Sequence, residues 1–160
     1  GDSGAIGALI ARLADADLGV RFAAVKALGQ LGNRGDEAAV DAVSACLEDA
    51  DGGVRLVAVK ALGQLAEKGD SRAMVAATAR LEDVEERVKL AAVKTLGQLG
   101  AKGDDYALRA ISGLLDYRHG GVRAAALEAL GQLAGKGSED AIRASLARLE
   151  DADAGVRRAA

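Results

Sequence analysis

Proline and tryptophan are absent from the 160 residues, and one phenylalanine and two tyrosines are the only aromatics. Without proline the chain has no built-in helix breaker and lacks the usual loop punctuation. Half of the residues are hydrophobic by type, yet with so few aromatics a thick globular core has little to fill it. A thin core of Ala, Val and Leu between closely packed helices fits better. A single cysteine, Cys46, cannot close an internal disulfide, so a reducing, cytoplasmic setting is expected. Basic residues are not in excess: 21 Lys and Arg face 24 Asp and Glu, a net charge of −3. That speaks against a general nucleic-acid binder. No apolar run approaches the ~18–20 residues a membrane span needs. No signal-peptide or lipidation pattern is evident.

What is present is a repeat. The stretch Val54-Arg55-Leu56-Val57-Ala58-Val59-Lys60-Ala61-Leu62-Gly63-Gln64-Leu65 has close copies starting at Val20, Val88 and Val122 and a shortened one at Val156, always 34 residues apart. A fixed period of this size signals a stacked array. Gly1-Asp2, Gly35-Asp36, Gly69-Asp70, Gly103-Asp104 and the altered Gly137-Ser138 open the units. Residues 1–160 are therefore expected to form one repeat domain, with units starting at 1, 35, 69, 103 and 137, the fifth truncated. The units agree at more than half of their positions in the best-matched pair, which implies recent duplication or units made alike by design.

Each unit reads as two helices. In the second unit the first runs roughly over 37–48, with Ala39, Val40, Val43 and Leu47 on one side. Asp36 stands before it as an N-cap, as do Asp70, Asp104 and Ser138 elsewhere. The acidic turn Asp49-Ala50-Asp51-Gly52 leads to a second helix over about 53–66, with Val54, Ala58, Leu62 and Leu65 as its stripe. Gly35, Gly69, Gly103 and Gly137 lie past the second helices, where glycine can take the left-handed cap conformation. Gly29, Gly63, Gly97 and Gly131 fall inside helices, where each costs ~1 kcal/mol relative to alanine. Four such copies in register predict close packing against a neighbouring helix, with the following Gln30, Gln64, Gln98 and Gln132 bonding to loop backbone. One hairpin cannot bury its stripes alone, whereas stacked hairpins form a continuous two-layer core.

The motif Asp49-x-Asp51-x-Gly53-Val54-Arg55-x-x-Ala58-x-x-Ala61-Leu62-Gly63, recurring from Asp15, Asp83 and Asp151 and weakened from Tyr117, resembles HEAT repeats of the phycobilisome-lyase type. The resemblance covers the whole chain. It implies an all-α, right-handed α-solenoid of stacked helical hairpins. It also implies a ladder joining one repeat to the next through Asp15/Arg21, Asp49/Arg55, Asp83/Lys89 and Asp151/Arg157, with Arg123 retained where Tyr117-Arg118-His119 replaces the turn and interrupts the ladder. In such solenoids the first helices are expected to line one broad surface, generally the concave one. The proline common in the first helix of many HEAT repeats is missing here.

No catalytic constellation stands out, so a non-enzyme without cofactor or metal is expected. His119 is the only histidine and is expected to be exposed; metal sites need several converging ligands. Cys46 takes the place of Arg12, Arg80 and Arg148, a tolerated half-exposed position without a neighbouring histidine to activate it. The glycines lack phosphate-loop spacing.

The variable positions of the first helices are the candidate contact residues of a protein–protein interaction or scaffolding module: Asp41, Arg72, Tyr106, Arg109, Asp140 and Arg143. Neither nucleic acid nor membrane is an expected partner. Two alternatives remain open: an accessory subunit of a phycobilin-lyase-type enzyme, and a consensus-like or designed array without a native ligand. The end units carry no polar caps. Ile6, Leu9, Ile10 and Leu13 resemble an internal helix, and the last segment stops before its Leu-Gly-Gln-Leu. This predicts end-to-end self-association or a longer parent array.

Overall fold

The computed structural model describes residues 3–135 and 137–160. The opening Gly1-Asp2 of the first unit lies outside them. Among the described residues the chain forms ten α-helices and no strand. They pair in chain order: α1 (Ser3–Arg12) with α2 (Leu18–Leu31), α3 (Glu37–Ala45) with α4 (Gly52–Leu65), and α5 (Ser71–Ala79) with α6 (Glu86–Leu99). α7 (Asp105–Ser112) pairs with α8 (Gly120–Leu133), and α9 (Glu139–Leu146) with the short α10 (Ala154–Ala159). α3 and α5 tighten into 3-10 turns at Cys46–Glu48 and Arg80–Glu82.

The helix starts follow from side-chain capping of free backbone N–H groups. Asp36, Asp70 and Asp104 and the Ser138 hydroxyl accept from first-turn amides of the first helices. The second carboxylate of each acidic turn caps the second helix: Asp17, Asp51 and Asp153 each accept from two amides. Glu85 and His119 hold that position in the third and fourth pairs and make no cap bond through their side chains.

The second helices end earlier than their glycines. α4 stops at Leu65 and its cap residue Ala66 is extended, with φ −71° and ψ 148°. Gly69 sits deeper in the loop at φ +84°, a conformation side chains other than glycine rarely adopt. There its N–H donates to the Leu99 carbonyl of the next pair at 2.7 Å. Gly35 to Leu65 and Gly103 to Leu133 repeat that bond. These glycines therefore tie neighbouring pairs together rather than closing their own helices.

The core is thin and continuous. Val25, Leu28, Val59, Leu62, Leu65, Val93, Leu96 and Leu99 from the second helices are fully buried, against Ala39, Val43, Ala73, Ala77, Ala107 and Ile111 of the first. Each Leu or Val buried contributes roughly 1.5–3 kcal/mol, and most of that burial needs the next pair in place.

The two rows of helices are unequally spaced. α2, α4, α6, α8 and α10 pack along one another extensively, whereas α1, α3 and α5 meet their row neighbours only sparsely. A double layer with one row closer than the other bends toward the closer row. The second helices therefore line the concave side. This corrects the expectation that the first helices do so. The physical reason is the in-helix glycine: without Cβ atoms at Gly29, Gly63 and Gly97, the second helices approach where ordinary residues would hold them apart.

Candidate functional site

The rungs between units are built by arginine. Arg21 donates through Nε and Nη2 to the two carboxylate oxygens of Asp49, at 2.7 and 3.1 Å. Its Nη1 binds the Asp15 carbonyl of its own turn at 2.9 Å. Arg55 repeats this with Asp83, at 2.8 and 2.9 Å, and with the Asp49 carbonyl. Arg123 forks onto Asp151 and holds the Tyr117 carbonyl. Each side-chain pair thus spans 28 residues, into the following unit. The six-residue partner suggested by the resemblance contributes only its backbone oxygen. Asp49 and Asp151 are held below the usual carboxylate range chiefly by the hydrogen bonds from Arg21 and Arg123. At Asp83 burial works to raise the pKa, and the Arg55 fork with the Glu85 amide outweighs it, so the net shift is downward.

The third unit departs from this pattern. Lys89 does not pair with Asp83, whose oxygens Arg55 occupies. Its Nζ binds the Leu81 carbonyl at 3.4 Å and lies 5.3 Å from the centre of the Tyr117 ring, a cation–π contact where the first, second and fourth units have an ion pair. Glu86 pairs with His119 and lies 3.7 Å from Arg118, so the altered turn is tied across by another route. His119 is exposed. At the two ends the rungs are half-made. Arg157 binds only carbonyls of its own turn, and Asp15 accepts from the Asp17 amide and lies 3.6 Å from Arg12.

A Cβ on Gly29 would lie 2.8 Å from the Ala61 Cβ, on Gly63 3.2 Å from the Thr95 Oγ1, and on Gly97 3.0 Å from the Ala129 Cβ. Gly131 has nothing within 4 Å of such a Cβ, so its place among the close-packing glycines is corrected. Gln30, Gln64, Gln98 and Gln132 are exposed, and among the described residues no side-chain hydrogen bond joins them to loop backbone. The amide oxygens of Gln64, Gln98 and Gln132 instead sit over the glycine of the preceding unit. Cys46 is buried rather than half-exposed, its thiol directed at the Ala42 carbonyl, and burial pushes its pKa up.

The six first-helix candidates are spread along the outer row and are not brought to one place. Arg72 and Asp41 neutralise each other at 3.2 Å, as Arg143 and Asp140 do at 3.5 Å. Tyr106 and Arg109 are exposed on α7, and Arg109 lines a shallow groove with Asp140.

The concave face is more regular. Four columns cross it, each a step of 34 residues per helix. The first is Gly19, Gly53, Arg87 and Gly121; the second, half-buried, is Phe22, Leu56, Leu90 and Ala124. The third is Lys26, Lys60, Lys94 and Glu128, and the fourth is the four glutamines; every member of these two is exposed. The three lysines make no ion pair or hydrogen bond among the described residues, unlike Asp41, Arg72, Asp140 and Arg143 of the outer row. The sequence signal for this column is the lysine recurring at the 34-residue period. Among the described residues no group of three or more His, Cys, Asp or Glu side chains could hold a metal ion. No helix there is long and apolar enough to cross a membrane.

Paired helices stacked in register, with rungs from each unit to the next, define an α-solenoid. The family model for HEAT repeats matches residues 1–63, 43–130 and 74–160, and the chain belongs to that family. Among solved structures it is similar to the complex of CpcE and CpcF of phycocyanin lyase from Nostoc sp. PCC7120, at 25% identity and a TM-score of 0.73, over 99% of this chain and 96% of that one. A designed armadillo repeat protein in complex with the peptide (KR)4 matches at 20% identity and TM-score 0.72, over 99% and 80% of the two chains. The YibA protein of E. coli matches at 18% identity and TM-score 0.78, over 99% of this chain and 58% of its own. No curated protein sequence matches significantly.

Proposed function

We propose that the chain is a non-catalytic binding module that holds a protein or peptide segment on the concave face of its second helices. The observation that carries this reading is the set of exposed, in-register Lys and Gln columns beside a half-buried apolar column. Such an extended surface suits a segment laid across several units. A fold of the same type carries a peptide in the designed armadillo protein, and the CpcE–CpcF structure is a protein–protein complex. The outer-row residues are a weaker surface because four of the six already pair with each other. Selection from a random-peptide library tests the choice. Selected binders are expected to survive the double variant Tyr106→Ala/Arg109→Ala and to be lost on Gln64→Trp. The reverse pattern overturns the reading.

A second reading, a subunit of a lyase of the phycocyanin type, is favoured by the match over nearly the full length of both chains. Mixing the protein with a free bilin separates the two: a shifted visible absorbance supports the lyase subunit, and an unchanged spectrum supports the binding module. Contact between copies belongs to the first reading. Exposed Leu18 and Leu31 at one end, and Ile142, Leu146 and Leu149 at the other, leave apolar surface for a second copy.

A further inference from the structure

The concave face also constrains the chemistry of what lies on it, if the binding-module reading holds. We propose that its ligand is an extended segment in which carboxylate side chains alternate with small apolar ones.

Three features converge. The first is charge. The chain carries a net charge of −3, and Arg21, Arg55, Arg72, Arg123 and Arg143 each have a carboxylate partner, while Lys89 and Arg157 are held by backbone carbonyls. Lys26, Lys60 and Lys94 are a line of exposed ammonium groups without one. The other ionisable groups of these columns are Arg87, which binds Glu85, Glu128, which closes the lysine column, and Arg158, which follows Ala124 in the apolar column and donates to the Ala154 carbonyl. A carboxylate is the complement to such a column. The second is the pair of flanking columns. Phe22, Leu56 and Leu90 offer apolar surface one helical turn away on one side, and the glutamine amides offer both donors and acceptors to a peptide backbone on the other. The third is spacing. Helices packed through glycine and alanine stand ~8–10 Å apart. An extended chain advances ~3.3–3.4 Å per residue, so carboxylates two residues apart share one side of the strand at ~7 Å, close to the spacing of successive lysines. Flexible lysine stems absorb the remaining mismatch. Alternation in an extended strand sends carboxylates toward the lysine column and small apolar side chains toward Phe22, Leu56 and Leu90. Glu128 sets the limit: the acidic part of the segment spans the first three units and stops short of the fourth.

Fluorescence anisotropy with a labelled octapeptide of alternating Glu and Ala, beside peptides carrying Gln or Lys in place of Glu, tests this. The Glu peptide is expected to bind saturably and more weakly as salt is raised. The Gln and Lys peptides should bind at least tenfold more weakly. The triple variant Lys26→Gln/Lys60→Gln/Lys94→Gln changes only exposed side chains. It should keep its helical circular dichroism and melting temperature while losing tenfold or more in affinity. Glu128→Lys extends the column and should tighten binding several-fold. Failure of the Glu peptide to bind, equal binding of the Gln peptide, or an undiminished affinity in the triple variant overturns the proposal. If the Gln or Lys peptide binds and is lost on Gln64→Trp, the concave binding face stands and only the charge assignment falls. If the Glu peptide binds but is displaced only by changes at Tyr106 and Arg109, both fall.

Discussion

Arg55 and Asp83 show what a rung is worth. Both residues are buried, 8% and 7% exposed, and each guanidinium and carboxylate atom that points inward has a partner. Replacing one member of such a pair strands the other charge, at a cost of ~3–5 kcal/mol. Urea unfolding of Asp83→Ala should show a loss of that size. Asp15→Ala should barely move the midpoint, because no arginine from a preceding unit reaches Asp15. The depressed pKa values of Asp49, Asp83 and Asp151 add a pH signature. A carboxylate whose folded pKa lies below its unfolded value of about 3.9 contributes stability that is complete above that value. That contribution is lost as pH falls through the folded pKa. The melting temperature should therefore hold between about pH 7 and pH 5 and drop below about pH 4. In Asp83→Asn the drop should be shallower, and an equally steep one would disconnect the acid loss from the rungs.

At the scale of the helix, two chemically identical substitutions should have opposite signs. Gly29→Ala pushes a methyl group to 2.8 Å from the Ala61 Cβ, and neither helix backbone can yield cheaply. Overpacking of this kind costs ~1–3 kcal/mol. Gly131→Ala meets nothing within 4 Å, on an exposed helical position, and should gain up to ~1 kcal/mol from helix propensity. Thermal melts of the two variants, shifted in opposite directions, would support glycine-mediated approach of the second helices; equal shifts would count against it. The same pair shows what was legible in the sequence. The 34-residue period, the helix pairs, the first-helix caps Asp36, Asp70 and Asp104, and the in-helix glycines can be read from local pattern alone. What faces each glycine cannot, since Gly29 and Gly131 have the same local sequence and different neighbours. Which row lies inside is likewise illegible locally, because it depends on spacing between helices, which is a tertiary property. The rung partner was misread on similar grounds. Asp49 lies near Arg55 in sequence, but the arginine stem reaches across to Asp83.

For the whole molecule, burial is complete in the middle units and sparse in the first and last described pairs. Leu146 is 63% exposed, and α9 buries none of its residues fully, so Ile142, Leu146 and Leu149 line an apolar groove with Leu130 and Ala134. Sedimentation velocity over a hundredfold concentration range should reveal reversible association, abolished by Leu146→Asp; a strictly monomeric wild-type protein would exclude end-to-end contact. Which row of helices receives a ligand distinguishes the inner surface from the outer one. Backbone amide chemical-shift mapping with a library-selected peptide bound is the most direct measurement of that. Shifts should concentrate in residues 22–30, 56–64 and 90–98, along the lysine and glutamine columns. Shifts confined to residues 105–112 and 139–146, with the second helices unperturbed, would contradict it.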